Sequence, residues 1–371
     1  MERSQPAVLR ITSPGEAAQL IPYLVGFTPE ESVVVSAIQA GRVEVTARVD
    51  LADVRDTARV EELLDRIWDR FPAADGFAVA YTADHDLGWQ VLARCDGWLP
   101  DGCSTMLVDA DTWHTPDGAS GTIDTFGAVA AEATYHGLQR LERRAELETR
   151  FTSPPDSAEL DRQLESALTS LPEPGEKQRI LDTTGELIAR SLPRTANPPR
   201  DPQLETGWTL DPTDAIRLSV LVQHAQARDL ALLSITRDNA TRHLALWQGV
   251  VQASPAYGAD MPLYLAGMAA WVSGDGASAT IALERALRSD PHPDQSHPAR
   301  LLEALIDRVV PPTSWTSIRR AIAADVDPAI RDALGADAPN PRPRWAPIAS
   351  PLGAPRPGLD ERRPPAPGID I

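Results

Sequence analysis

The spacing of hydrophobic residues differs between the first 150 residues and the region after Asp211. This difference limits the folds that the chain can adopt. In the first 150 residues, short β-branched runs alternate with stretches of helical spacing. From Asp211 to about Leu334, apolar residues recur only at three- and four-residue intervals, which is the period of an α-helix. The pattern predicts an α/β domain with a mixed sheet, a proline-punctuated helical linker, an all-α domain and a disordered proline-rich tail, over residues 1–150, 151–210, 211–335 and 336–371 respectively.

Within the first region, strands and helices follow one another in short units. We expect a strand at Ala7–Ile11, and then a helix that begins at the capping box of Ser13 and Glu16. A β-hairpin is predicted for "ESVVVSAI" and "RVEVTARVDL", and the alternation in its second strand predicts one face exposed to water. Val60 to Phe71 carries a regular apolar stripe and is predicted to be a helix.

Two longer segments complete this region. The run "STMLVDADTW" is predicted to be one strand, and residues 123–151 are predicted to form one long helix. Arg140, Arg143, Arg144 and Arg150 alternate with glutamates near the end of that helix, which indicates a solvated face with i,i+4 ion pairs.

The segment Gly274 to Ala279 matches the loose pattern G-x-G-x-x-A of a dinucleotide-binding loop. Such a loop needs a short strand before it, but the preceding "MPLYLAGMAAWVS" is long and rich in good helix formers. The segment is better explained as the turn of a tetratricopeptide-like helical hairpin, with Gly267 at the helix crossing and Pro291 at the end of the second helix.

Charge and cysteine content narrow the functional classes. The formal net charge of -18 opposes binding to nucleic acids and to acidic membrane surfaces. The longest apolar run, "PLYLAGMAAWV", is too short to span a bilayer, and the first residues lack the apolar stretch of a signal peptide. Cys95 and Cys103 are the only cysteines, and their spacing does not suggest zinc. We therefore expect a cytoplasmic protein without a membrane segment, a metal site or a cofactor.

Three long motifs resemble a known family. They are "PYLVGFTPEESVVV" from Pro22, "RDLALLSITRDNATRHLALWQGVVQASP" from Arg228, and "LYLAGMAAWVSGDGASATIALERALRSDP" from Leu263. Together they resemble the actinobacterial family of domains of unknown function numbered 4192, and the near absence of lysine fits a GC-rich genome of that kind. The resemblance implies no activity, substrate or catalytic residue. Many relatives have cysteines where this chain has "MLVDADTWHTPDGASG".

Three functional hypotheses follow from the residues, and the weakest is a nucleic-acid accessory protein, which the net charge disfavours. The first is a non-catalytic protein-interaction module with a protein partner, and its candidate docking surface consists of Trp247, Tyr264 and Trp271. The alternative is a small-molecule or nucleotide-handling enzyme with a pocket at the strand ends. Its candidate pocket residues are Tyr23, Phe27, Ser32, Asp50, Asp84 and His85. The tail motifs "PRPRWAP" and "RPPAPG" either dock into a partner or remain unbound.

Overall fold

The structure is a computed structural model that describes residues 11, 13–39, 42–55, 57–100, 103–135, 138, 140–194, 208–289, 297–335 and 338. The strands of its sheet are β1 (Ser32–Gln39), β2 (Arg42–Asp50), β3 (Asp75–Tyr81), β4 (Ser104–Asp109), β5 (Thr112–His114) and β6 (Ser120–Thr122). They lie in the order β2-β1-β3-β4-β5-β6, with β3 and β4 parallel and every other neighbouring pair antiparallel. The prediction of a mixed sheet is therefore confirmed.

Helices cover both faces of the sheet. The helices of this region are α1 (Pro14–Val25), α2 (Thr57–Arg70), α3 (His85–Asp96), α4 (Ala128–Tyr135) and α5 (Arg144–Thr149). On one face, buried residues of α2 and α3 such as Leu64 and Leu92 pack with Val33 and Val35 of β1. On the other face, Ile21 of α1 belongs to the same buried cluster as alternate residues of β1 and β3. Glu44, Thr46 and Arg48, on the predicted exposed face of β2, are half-buried.

The start of α1 follows from its sequence. The Ser13 hydroxyl accepts a hydrogen bond from the Glu16 backbone N–H at 3.3 Å, and Pro14 occupies the first turn, where its missing N–H costs nothing. The helix ends at Gly26, whose φ of 84° lies in the left-handed region that glycine adopts most readily. These local signals set the position of α1 on the sheet.

Two predictions for this region are wrong. The segment from Ser104 to Trp113 forms two strands because the chain reverses after Asp109, where Ala110 has a φ of 48°. The predicted long helix is split into α4 and α5. Between them Leu141 lies beside Phe27: its N–H donates to Gly26 O and its carbonyl accepts from Thr28 N–H, both at 2.9 Å. A residue that exchanges these bonds with a neighbouring segment cannot also make helical ones.

Beyond residue 150 the described chain is helical. Its helices are α6 (Ala158–Ser170), α7 (Lys177–Ser191), α8 (Pro212–Leu221), α9 (Ala225–Ser234), α10 (Ala240–Ala253), α11 (Asp260–Ser273), α12 (Gly276–Ser289), α13 (Ala299–Asp307), α14 (Trp315–Asp325) and α15 (Pro328–Leu334). Within the described ranges, no helix is long and apolar enough to cross a bilayer. Three short 3-10 turns, at Asp53–Arg55, Ala256–Gly258 and Pro312–Ser314, complete the described elements.

The helices α11 and α12 form a hairpin around Gly274. Gly274 has a φ of 89°, and the Asp275 N–H donates to Ala270 O at 2.9 Å, which closes the end of α11. The Asp275 carboxylate accepts from Ser278 N–H at 3.0 Å and so caps α12. A helix, and not a strand, leads into Gly274, so the segment lacks the context of a phosphate-binding loop. The resemblance of the hairpin to a tetratricopeptide repeat stays a prediction.

One buried cluster connects the sheet to the helices. It extends from Val34 and Val79 in the sheet to Leu246, Trp247 and Leu302 in the helical region. The domain boundaries drawn from the sequence stay a prediction. Only Ile11 of the predicted first strand and only Ala338 of the predicted tail are among the described residues. The other residues of both segments lie outside them.

Candidate binding groove

A cavity of about 780 Å³ lies between the sheet and the helices. Strand β2 forms one side, and the opposite side consists of the α11–α12 turn, α12, and the end of α13 with the segment that follows it. This volume falls in the range of about 300–1,000 Å³ typical of ligand-binding clefts. We refer to it as the β2 groove.

The backbone of β2 gives the groove an unpaired edge. Among the residues that the structure describes, β2 lies at the end of the sheet and pairs with β1 alone. The Leu51 N–H donates to Glu31 O at 2.8 Å, so Leu51 and Glu31 form a hydrogen-bonded pair. In an antiparallel ladder every second pair is bonded, and the next bonded pair is Val49 with Val33. The odd-numbered residues of β2 therefore bond to β1. The N–H and C=O groups of Thr46, Arg48 and Asp50 therefore point away from β1, into the groove.

The register of the other strands supports this assignment. Thr82 N–H donates to Val108 O at 3.0 Å, so even-numbered residues at this end of β3 bond to β4. Odd-numbered residues of β3, such as Tyr81, consequently bond to β1, where Tyr81 pairs with Ser32. The even-numbered residues of β1 thus form backbone hydrogen bonds with β3, and its odd-numbered residues form them with β2. Thr46 lies opposite Ser36, an even-numbered residue of β1, so its backbone groups do not bond to β1 and point outward.

Arg48 fixes one rim of the groove. Its guanidinium lies 2.6 Å from the Asp50 carboxylate, donates to Glu30 O at 3.2 Å, and sits 5.6 Å from the centroid of the Phe27 ring. The Arg48 side chain is only 15% exposed, so these contacts hold it against the sheet. Because the charges of Arg48 and Asp50 compensate each other, this rim presents an almost neutral surface.

An ion-pair network connects α5 to α12 at the far wall. The Arg144 guanidinium contacts the carboxylates of Glu148 at 3.0 Å and of Glu284 at 2.9 Å. Burial alone would lower the pKa of Arg144, but Glu284 and Glu148 raise it overall. For Arg150, burial is the larger effect and lowers the pKa, against the opposing influence of Asp275 and Glu146. Arg144 therefore braces the groove. Its contact with Glu148 is an i,i+4 ion pair of the kind predicted, but the side chain is half-buried against α12 instead of fully solvated.

Two contacts join the groove to the end of α13. Arg66 of α2 donates to Asp307 O at 2.9 Å, and the Trp271 indole N–H donates to Val310 O at 3.2 Å. Val309, between these acceptors, has a φ of 49°, which turns the chain along the groove. The wall after α13 is thus held from both the sheet side and the helical side.

The ionisable side chains of the groove have a net negative balance. Six acidic residues line it, namely Glu44, Asp50, Asp53, Glu284, Glu303 and Asp307. Four arginines do so as well, namely Arg48, Arg66, Arg144 and Arg237. The formal difference of two negative charges, together with the net charge of -18 for the chain, favours a neutral or basic occupant.

The residues predicted for an enzyme pocket do not share one cavity. Phe27 and Asp50 line the β2 groove, whereas Tyr23, Ser32, Asp84 and His85 do not. Ser32 is next to Asp50 and Tyr81 in the register but is fully buried, and its hydroxyl has no hydrogen-bond partner in the described part of the chain. Tyr23 is half-buried on α1.

Asp84 and His85 have local partners at the start of α3. The Asp84 carboxylate caps this helix by accepting from Leu87 N–H at 3.0 Å. The His85 Nε2 lies 3.1 Å from an Asp109 oxygen, and its ring centroid is 5.0 Å from that of His114. The described residues contain no group of three or more His, Cys, Asp or Glu side chains arranged to hold a metal ion. Asp84 and His85 thus have local partners, and the predicted strand-end pocket stays a prediction.

The aromatic residues predicted as a docking surface lie in the interior. Trp247 is 0% exposed, Tyr264 2% and Trp271 5%. Burial raises the pKa of Tyr264, and the Trp271 ring packs edge-on against Trp315 with centroids 6.2 Å apart. These side chains stabilise the helical core, and of the three only Trp271 reaches the wall of the β2 groove.

The sequence analysis did not identify the groove itself. The edge position of β2 depends on the strand order, which no local pattern specifies. The far wall comes from residues more than 220 positions further along the chain than β2, such as Thr280 and Val310. One available signal was the interruption between α13 and α14, where Val309 and Val310 are followed by Pro311 and Pro312.

Comparison with known proteins gives a family but no activity. Neither the curated proteins nor the solved structures contain a significant match to this chain. The model of one family, described as a domain of unknown function and designated DUF4192, matches residues 14–313. Because this match spans most of the chain, the protein belongs to the DUF4192 family.

Proposed function

We propose that this protein is a protein-interaction module that binds an extended segment of a partner in the β2 groove. The single observation that supports the proposal is the edge of β2, which has no partner strand among the described residues and whose backbone groups at Thr46, Arg48 and Asp50 are directed into a cavity. Proteins commonly recognise extended peptides by adding them as a strand to such an edge. The affinity then comes from main-chain hydrogen bonds and the specificity from alternate side chains.

The walls of the groove support a single bound strand. An open edge normally invites aggregation with other sheets, and proteins block it with charges, bulges or covering elements. Here α12 and the segment Val309–Thr313 stand opposite β2, with a cavity of about 780 Å³ between them. A cavity bounded in this way suits one extended chain better than the edge of a second sheet.

The two faces of β2 present different surfaces to such a strand. Val45, Ala47 and Val49 pack on the apolar face with α2. Thr46, Arg48 and Asp50 lie on the opposite face, where Thr46 shares a hydrogen bond of 3.0 Å with Ser36. A partner segment with alternating apolar and polar or basic residues fits both faces. Nucleic acid is disfavoured by the negative balance of the groove.

We place this module in the cytoplasm. Cys95 and Cys103 are free thiols, as expected of a protein in a reducing compartment. Burial raises the pKa of the Cys95 thiol to about 11, so this side chain is not activated as a nucleophile.

The test is a comparison of two matched threonine variants in native co-purification. Thr280 lines the groove on α12, and its hydroxyl donates to Gly276 O one turn earlier. Thr169 on α6 is exposed and makes the same type of bond to Glu165 O, but it does not line the groove. Replacing Thr280 by tryptophan fills the groove, and replacing Thr169 by tryptophan leaves it open.

The expected result is a stoichiometric partner recovered with the wild-type protein and with Thr169→Trp, but not with Thr280→Trp. Cross-linking mass spectrometry should place the partner segment beside β2. A synthetic peptide of that segment should bind Thr280→Trp at least about tenfold more weakly, which corresponds to ~1.4 kcal/mol. Equal binding by both variants, or repeated recovery of no partner, would contradict the proposal.

A further inference from the structure

The prolines of the C-terminal segment follow a strict alternation. Between residues 339 and 357 every proline has an odd number, namely Pro339, Pro341, Pro343, Pro347, Pro351, Pro355 and Pro357. Proline has no backbone N–H, so it blocks strand pairing on whichever edge its nitrogen faces. In an extended chain, successive N–H groups point to opposite edges. If this segment is extended, all of its prolines face one edge. The other edge, formed by the even-numbered residues, then keeps every N–H for pairing.

The segment also complements the groove in charge. Residues 339–359 contain Arg342, Arg344 and Arg356 and no acidic residue, although the whole chain has a formal net charge of -18. The groove has six acidic residues against four arginines. A basic stretch in an acidic protein lowers its electrostatic free energy by lying against a surface of the opposite sign.

The two faces of the extended segment match the two faces of β2. Arg342, Arg344 and Ala346 have even numbers, so in an extended chain their side chains share one face and their N–H groups share one edge. In an antiparallel pair, hydrogen-bonded residues lie directly opposite each other with their side chains on the same face of the sheet. We therefore take the segment to run antiparallel to β2. When those groups bond to β2, these side chains lie on the face of Thr46, Arg48 and Asp50. The odd-numbered prolines and Trp345 then lie on the apolar face, beside the β2 valines that pack against α2.

The segment is attached to α15, which packs on α9. Ile330 of α15 belongs to one buried cluster with Leu233 of α9, and Arg237, four residues further along, lines the groove. The Ala338 N–H donates to Gly335 O at 3.1 Å, so these two residues lie within about 7 Å of each other. Residues 339 and 340 add up to about 7 Å when extended. A tether of this length keeps the local concentration of the segment high around α9.

We propose that residues 340–350 of this chain occupy the β2 groove as an added strand, with the even-numbered residues bonded to β2. The segment competes with any other extended occupant and so regulates access to the groove. This regulatory role rests on the proposed function, whereas the docking of the segment does not.

The test uses two proline variants of the full chain. Ala346→Pro removes an N–H from the pairing edge, and Ala349→Pro removes one from the opposite edge, so both add one proline to the same segment. The measurement is amide hydrogen exchange at Thr46, Arg48 and Asp50, read residue by residue. In the wild-type protein and in Ala349→Pro these amides should exchange at least about tenfold more slowly than in Ala346→Pro.

The proposal is overturned if these amides exchange rapidly in the wild-type protein, or if the two variants behave alike. Amides of β1 and β3 report on the sheet itself and should exchange equally in all three proteins; a change there would also overturn the assignment. The two proposals fail separately. If the β2 amides of the wild-type protein exchange rapidly but a partner still binds, only the docking of the segment is refuted. If these amides exchange slowly but no partner is recovered, only the interaction function is refuted.

Discussion

Replacing the two glycines of the α11–α12 turn by alanine should change stability in opposite directions. Gly274 has a φ of 89°, and no atom lies within 4 Å of the position of an added Cβ. The cost of Gly274→Ala therefore comes from the backbone alone, about 1–2 kcal/mol for an L-residue in the left-handed region. Gly276 has open space around it and no positive φ, and it is the first residue of α12. Gly276→Ala should raise the free energy of unfolding by about 0.4–1 kcal/mol, because alanine restricts the unfolded chain.

Urea unfolding followed by tryptophan fluorescence measures both effects, and the difference between the two variants should reach at least about 1.4 kcal/mol, the sum of the smaller values. A thermal-shift measurement with adenine dinucleotides completes the test. If both variants lost stability equally, the turn geometry assigned here would be wrong. If a dinucleotide stabilised the wild-type protein and Gly276→Ala abolished that effect, the segment would be a phosphate-binding loop after all.

Three further predictions concern the sheet, its packing and one buried histidine. Ala47→Pro removes an N–H bonded to β1 and leaves its acceptor without a partner, which should cost about 1–3 kcal/mol. Thr46→Pro, on the outward edge, should cost clearly less in urea unfolding, and equal losses would refute the assigned direction of the edge. Gly88→Ala places a Cβ 2.4 Å from Leu107 Cδ1 and should lower the free energy of unfolding by about 1–3 kcal/mol, and an unchanged midpoint would contradict the close packing. Burial lowers the pKa of His243 to about 3 from its ordinary value of 6.5, so the unfolded state binds the proton more readily and stability falls as the pH drops below about 6.5. From pH 7 to pH 5 this histidine should account for a loss of about 2 kcal/mol that is absent in His243→Leu; the same pH dependence in both proteins would show that His243 does not titrate in this way.

The sequence predicts those parts of the fold that depend on local signals. The cap at Ser13, the apolar stripe of α2 and the turn at Gly274 are all encoded within a few residues, and each lies where it was expected. The long helix around Leu141 was predicted wrongly because helical spacing is compatible with both states. The deciding factor is a pair of backbone hydrogen bonds to Gly26 and Thr28, more than 110 residues earlier in the chain.

The candidate site was less predictable than the fold. Large aromatic residues occur both in cores and at interfaces, so the identities of Trp247 and Tyr264 could not show that they are buried. The groove depends on the strand order that leaves β2 at the edge, and on a wall contributed by distant helices. Neither feature has a local signature.

The family match separates the groove from its proposed occupant. Every residue that lines the groove lies between Val25 and Thr313, within the matched span of residues 14–313, and Thr313 is also the last residue of that span. The segment 340–350 lies entirely outside it. The groove is thus built from the part of the chain that defines the family, whereas the segment proposed to fill it is not. This arrangement is the one expected if binding belongs to the matched module and its regulation to a segment outside it. The Ala346→Pro variant tests that division, because it should release the β2 edge while leaving both walls of the groove intact.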